Sequence, residues 1–428
     1  MTTTPNTAKI AKDQSTLVTA ADIYTDYAIT QNAAMGTEVE YLVTTKAGQL
    51  ISPATHEVLK ADFAAAGIAV SDEPLASIFE LKTGAQTEAA AMIAEMDSLS
   101  ANFNARVKKS GFVVRQAGYL GHITLNDAMA ARLPSERADG LLEHFIQNGQ
   151  EMCARQPLMT TSVHLSLSYA DLDHAYEMSK ALMVLTPVLT ALCENTGGFF
   201  DGKACDFNPS AMIRLSQRDG RGGLSPVICA AEDGEDLIRR QASHLYNTPM
   251  MMHLDATGSM RVTNDAGQHP SLRDLQNVGL NTASNAMLSE SMQYHMLKLT
   301  SLRNSFGQMT GKRLEVRMAD NGPFQHNLMA RIGETIGLNA DLRNDIIRDL
   351  TKRGLNPFTT ETARTSVQAL NNVATLRHGA MKVPMGNSTV GHIAARLLDF
   401  LDTGSDDIAL ARSTLKQGPA PTPIILKM

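Results

Sequence analysis

Apolar and polar residues alternate along four short segments: Thr37–Val43, Ser77–Leu81, Ser162–Ser168 and Leu314–Met318. Side chains in a strand point to opposite faces in turn. As strands, these segments place Glu38 with Glu40 on one face and Glu315 with Arg317 on one face. His164 then lies among serines, opposite Val163, Leu165 and Leu167. Elsewhere the apolar positions recur at three- and four-residue steps, which predicts helices. These fall near 15–33, over Ala54–Ala66, Gly84–Lys109, Gly140–Arg155 and Leu172–Asn195, and near 325–353, 361–377 and 388–402. Ser110-Gly111 is a helix stop, and Pro187 predicts a kink. Extended chain is expected within Ile68–Leu81, over Phe112–Tyr119 and over Met250–Leu254. Residues 196–224 are rich in Gly, Asp and Arg, and read as a binding loop. Strands and helices interleave without regular βαβ spacing, so the class is α+β.

Composition narrows the function classes. The chain has 428 residues, 43% hydrophobic and 19% charged, which suits a globular protein with a large core. A net charge of −6 argues against nucleic acid as a partner. The first twenty residues lack the apolar core of a signal peptide, and no apolar run is long enough to span a membrane. Cys153, Cys193, Cys205 and Cys229 show neither a CxxC pair nor zinc spacing, and read as reduced thiols of a cytoplasmic protein.

The candidate chemistry lies on the polar strand faces. If one sheet gathers Glu38, Glu40, Glu80, His164 and Glu315 into a cleft, the carboxylates repel one another unless cations neutralise them. Such a cleft suits Mg²⁺ held together with phosphate groups. Each residue alone has a plainer reading, as a solvent-facing strand charge or a surface ion pair. The loop glycines carry neither a P-loop nor a dinucleotide fingerprint.

Six motifs in order resemble the glutamate–cysteine ligase (γ-glutamylcysteine synthetase) family of glutamine-synthetase-like carboxylate–amine ligases. They are GTEVEYLV, DEPLASIFELKTG, MTTSVHLSLSYADLDHAYEMSKALMVLTPVLTALCENTGGFFDGK, SAMIRLSQRDGRGG, HLYNTPMMMHLD and GKRLEVRMADNGP, spread over roughly 36–325. The resemblance implies a curved antiparallel sheet forming an active-site funnel, with helices on its outer face. The polar start and first helix read as a leader over 1–34, the motifs as a catalytic core over 35–325, and the late helices as a part over 326–428 packed on that core. Glu38, Glu40, Glu80, His164 and Glu315 match metal positions for Mg²⁺ or Mn²⁺, and Glu73 is a weaker match for which Asp72 is the substitute. Arg317 matches an arginine near the transferring phosphate, Arg214 a glutamate- or phosphate-binding arginine, and Arg221 another family arginine on the nucleotide. Tyr246 and Met250 are matched to the acceptor pocket.

The implied activity is ATP-dependent. Phosphate passes to the side-chain carboxylate of glutamate, cysteine displaces it as the acceptor amine, and ADP is released, as in the first step of glutathione synthesis. The implied partners are small molecules: ATP, glutamate, and cysteine or another amine. Alternatives are a ligase joining glutamate or another acid to a different amine, a phosphotransferase, and a non-catalytic nucleotide-binding protein. The pattern fixes neither the acceptor nor the oligomeric state.

Overall fold

The computed structural model describes residues 17–217, 220–262, 269–303, 309–401 and 404–417. The early leader, the RD pair of the arginine loop and the tail from Gly418 lie outside the described residues.

The four alternating segments become strands of one seven-stranded antiparallel sheet. Its strands are β1 (Met35–Thr44), β2 (Ser71–Asp72), β3 (Ile78–Lys82), β4 (Val113–Arg115), β5 (Ser162–Ser168), β6 (Leu297–Arg303) and β7 (Met309–Asp320). They run in the order β6-β7-β5-β1-β3-β2, with β4 also paired to β1. The sheet curls into a half-barrel, the expected α+β architecture. Register fixes what faces what: Glu38 is opposite His164 on one side and Lys82 on the other, and Glu40 is opposite Glu80. Glu315 is flanked by Ser166 and Lys298.

The other face of each strand is apolar. Val39, Tyr41, Phe79, Leu81, Val163, Leu165 and Leu167 are buried. Under β1 and β3, Tyr41, Phe63, Phe79 and Phe103 pack ring against ring, with centroids 4.9–5.9 Å apart. Helices Ala89–Lys109, Leu172–Leu192 and Gln325–Ile332 cover this face. Burying it is the main stabilisation of the sheet, and it leaves the polar face to line a cavity.

Several expectations are refined. The helix from Gly84 begins only at Ala89, because Gln86 pairs with Met35 through two backbone hydrogen bonds. The helix expected over 15–33 is Ala20–Tyr27. The segment 140–155 is two helices, Glu136–Gln147 and Glu151–Met159, broken where Gly149 takes φ 65°. Only Val113–Arg115 of Phe112–Tyr119 forms a strand. The helix from Leu172 runs on through Pro187 to Leu192. The long loop 196–224 contains a short hairpin and a helix, Pro209–Leu215, although Ala211, Ile213 and Leu215 fall at every second position in an alternation that would suit a strand face. Asn208 accepts from the Ala211 N–H and Pro209 opens the first turn, and this start signal overrides the alternation.

The stretch 325–353 is two α-helices joined by a π-helical turn, Gly333–Leu338. That turn lies directly on the sheet. A Cβ on Gly333 would sit 2.8 Å from Met35 Sδ and 3.0 Å from Leu165 Cδ1, and one on Gly337 would sit 2.9 Å from Leu167 Cδ2. Gly333→Ala should therefore cost about 1–3 kcal/mol by overpacking. Val58→Ala, at a position 70% exposed, should change stability by less than about 0.5 kcal/mol. Urea unfolding of both variants checks this, and an unchanged midpoint for Gly333→Ala would show that the helix can retreat freely.

Candidate active site

The polar face of the sheet is one wall of a cavity of about 1210 Å³. Glu38, Glu40, Glu73, Glu80, His164, Glu315, Arg214 and Arg317 all line it. Strand alternation places Glu38, Glu40, Glu80, His164 and Glu315 there; Glu73 arrives from the turn after β2. His164 is central: Nδ1 is 3.6 Å from Glu38 and 4.0 Å from Glu80, and Nε2 is 3.9 Å from Glu40. These separations are too long for hydrogen bonds, and Nδ1 is buried without a partner.

A bulge aims Arg317. Val316 pairs with Leu165 and Ala319 with Val163, so Arg317 and Met318 together oppose His164. Bulges of this kind bend the strand locally, which re-aims Arg317 while it keeps the cavity face of Glu315. Arg317 reaches Glu315 at 3.0 Å, Arg313 reaches Glu315 at 3.2 Å and Glu38 at 3.4 Å, and Lys298 reaches Glu315 at 3.3 Å.

The cavity thus has two electrostatic halves. Burial alone would raise the carboxyl of Glu315, but Lys298, Arg317 and Arg313 hold it well below the usual range. Glu38 behaves likewise: burial is outweighed by His164, Arg313 and Lys82. On the other side cationic partners are too few. Burial, then the charge of Glu80, pushes Glu40 up to about 8. Burial, then Glu40, does the same to Glu73, and burial, then Glu38 and Glu73, to Glu80. Lys82 bridges Glu80 at 2.7 Å and Glu38 at 3.5 Å, but it is half-exposed. Burial and Arg317 push the His164 imidazole down to about 4, so it is neutral at pH 7 and a competent ligand.

These residues fit a hard divalent cation. Donor atoms of Glu38, His164 and Glu315 lie within 4.8 Å of one another, and so do those of Glu40, Glu80 and His164. The bare Nδ1 and the mutually repelling carboxyls are what a bound cation would satisfy. Glu73 stands beside Glu40 and Glu80 without joining either group. Its substitute, Asp72, turns instead to His56 and Lys60.

Arg214 lines the cavity but is anchored in protein. It donates to Asp320 at 3.1 Å, to the Met318 carbonyl at 3.2 Å and to Ser162 at 2.9 Å. It is therefore a fixed positive charge in the wall, not a free fork. Three expected site residues do not line the cavity. Arg221 is buried and donates to the Met292 carbonyl. Tyr246 is buried with its hydroxyl on Gln276, and Met250 is fully buried. Their helix and turn pack into the core, which motif order along the chain does not reveal.

Lys82, Arg313 and Lys298 were missed. Arg313 and Lys82 carried a readable signal, since each lies two residues from a chosen glutamate on the same strand face. Lys298 had none, because it meets Glu315 only through the pairing of β6 with β7.

The raised carboxyls set a pH dependence. Without a cation, unfolded Glu40, Glu73 and Glu80 release protons near 4.5 and the folded groups only near 8. The folded state binds more protons in between, so stability falls as pH rises through that window. His164, with its lowered pKa, acts in the opposite sense, but only below 6.5. In EDTA the melting temperature should fall from pH 6.5 to 8, and Mg²⁺ at pH 8 should restore it. A flat or rising profile in EDTA would contradict this.

A family model described as glutamate–cysteine ligase family 2 matches residues 34–397. A search of the curated proteins finds no match. Among solved structures, the chain is similar to a glutamate–cysteine ligase from Francisella tularensis in complex with AMP, with 13% identity over 91% of this chain and 83% of that one and a TM-score of 0.48. It is also similar to a bifunctional glutathione synthetase from Pasteurella multocida, with 12% identity over 92% of this chain and 49% of that one and a TM-score of 0.42. Among the described residues no helix is long and apolar enough to cross a membrane. The family match covers most of the length and includes every acidic strand of the cavity, so the chain belongs to the glutamate–cysteine ligase family.

Proposed function

We propose that this protein is an ATP- and Mg²⁺-dependent ligase that forms an amide on the side-chain carboxylate of glutamate through an acyl phosphate, with cysteine as the acceptor amine. The observation that carries this reading is that Glu38, Glu40, Glu80, His164 and Glu315 share one cavity wall with Lys298, Arg313 and Arg317, which pair with Glu38 and Glu315. Phosphoryl transfer needs charge neutralisation and in-line positioning more than a covalent nucleophile. The cavity exceeds the volume usual for one small ligand, which suits a nucleotide together with an amino acid.

Glu38, Glu40, Glu80, His164 and Glu315 would hold the cations, with Glu73 in support. Bound there, Mg²⁺ or Mn²⁺ would neutralise phosphate oxygens and orient them. Arg317 and Arg313, fixed by Glu315, present guanidinium charge to the transferring phosphate. Arg214, locked by Asp320 and Ser162, presents its charge to the donor carboxylate or to the same phosphate. The wall needs no reorganisation as charge develops, which is where electrostatic catalysis gains most.

A second reading, ligation to another amine, has one observation behind it. Tyr246 and Met250, the acceptor contacts implied by resemblance, are sealed in the core. Cysteine recognition must then come from other residues, and a screen of amines with product mass identifies the acceptor.

Activity should vanish in EDTA and return with Mg²⁺ or Mn²⁺. Glu315→Gln keeps the shape but removes the charge that orders Lys298, Arg313 and Arg317, and should cost on the order of 10²-fold or more in rate. Full activity in EDTA or in Glu315→Gln would remove the cations from the mechanism.

Arg214→Lys separates donor from phosphate. Lysine cannot reproduce the planar contacts to Asp320 and Ser162. If Arg214 faces the donor, KM for glutamate should rise far more than KM for ATP; if it faces the phosphate, kcat should fall alone. Unchanged values for all three would exclude Arg214 from the site.

A further inference from the structure

We propose that Glu290 takes the ribose hydroxyls of the nucleotide, an assignment that rests on the ATP reading above. Glu290 lies in the last turn of the helix Ala283–Ser291, lines the cavity and is 8% exposed. One of its oxygens is fully engaged. Oε1 accepts from the Ser301 N–H at 2.8 Å, from the Ser301 hydroxyl at 2.9 Å and from the Tyr27 hydroxyl, with Lys312 Nζ 3.8 Å away. Among the described residues no donor meets Oε2. The side chain is therefore clamped through one oxygen and offers the other to whatever fills the cavity. A carboxylate held only for structure gains by pairing both oxygens, since an unmet charge in a buried wall is costly.

Position selects the ligand group. Ser301 stands opposite Lys312, three residues along β7 from Glu315. At the rise of a strand that is ~10 Å from the phosphate-handling centre. The ammonium of glutamate is separated from its side-chain carboxyl carbon by only four bonds, so it cannot reach Glu290 while that carboxyl is being phosphorylated. The ribose of ATP lies at the far end of the triphosphate and can. Hydroxyls donate, and a carboxylate oxygen is the acceptor that holds ribose in other nucleotide sites. Arg313 and Lys298 line the same cavity and each interacts electrostatically with both Glu290 and Glu315, so the inner phosphates would meet them.

The test is nucleotide discrimination. The protein should favour ATP over 2′-deoxy-ATP or 3′-deoxy-ATP in KM by ~10- to 100-fold, the worth of a charged hydrogen bond. Glu290→Gln keeps an oxygen for Ser301 and Tyr27 but replaces the free acceptor by a donor. It should shrink that ratio towards one and leave KM for glutamate unchanged. Equal use of ATP and both deoxy forms by the unaltered protein would overturn the assignment, even if Glu290→Gln failed to fold. A ratio that survives in folded Glu290→Gln would overturn it as well. Both results leave glutamate-dependent ADP formation intact, whereas absence of any ADP formation would overturn the ATP reading itself.

Discussion

The structure depends on one unfavourable contact set on one side of a sheet: buried Glu40, Glu80 and Glu315 with half-buried Glu38, in two groups that share buried His164. Buried like charges are expensive, and here they are only half compensated. Lys298, Arg317 and Arg313 keep Glu315 ionised, and His164, Arg313 and Lys82 keep Glu38 ionised. Glu40, Glu73 and Glu80 have no comparable partners and hold their protons to unusually high pH. On the function proposed above, cations would relieve that repulsion, and cations held beside arginines would make a place for phosphate.

The rest of the fold makes that wall rigid. The same strands that carry the glutamates carry Val39, Phe79, Leu81, Val163, Leu165 and Leu167 on the reverse side, where helices close over them. A one-residue slip would turn every carboxylate into the core. The bulge at Arg317 and Met318 interrupts the pairing of β7 with β5 beside His164. Asp320, at the end of the same strand, accepts from Ser210, Arg214 and the Asn195 N–H. It thereby ties the arginine helix to the sheet, and a Cβ on Gly118 would strike it at 2.1 Å.

Much of this was legible in the sequence because strand alternation is local. Glu38, Glu40, Glu80, His164, Glu315 and Arg317 could be placed on shared faces from spacing alone, and the ordered motifs joined those faces into one site. What spacing cannot supply is which strand lies beside which. Lys298 and Glu290 enter the cavity through the hairpin of β6 and β7 and through a helix end, so no short-range pattern marks them. Motif order erred in the opposite direction for Arg221, Tyr246 and Met250. They occur where the family pattern puts substrate contacts, yet their side chains are packed away from the cavity. Helix boundaries failed where tertiary contacts decide them, as at Ala89 and at the π turn over Leu165 and Leu167.

The central claim is that the carboxylate wall serves transfer of a phosphoryl group from ATP to a side-chain carboxylate. Glutamate labelled with heavy oxygen in that carboxylate tests it most directly. With ATP, Mg²⁺ and the acceptor amine, the phosphate released should carry one labelled oxygen, because the acyl–oxygen bond breaks when the amine attacks. Product formed with unlabelled phosphate, or with the label in AMP, would contradict the account.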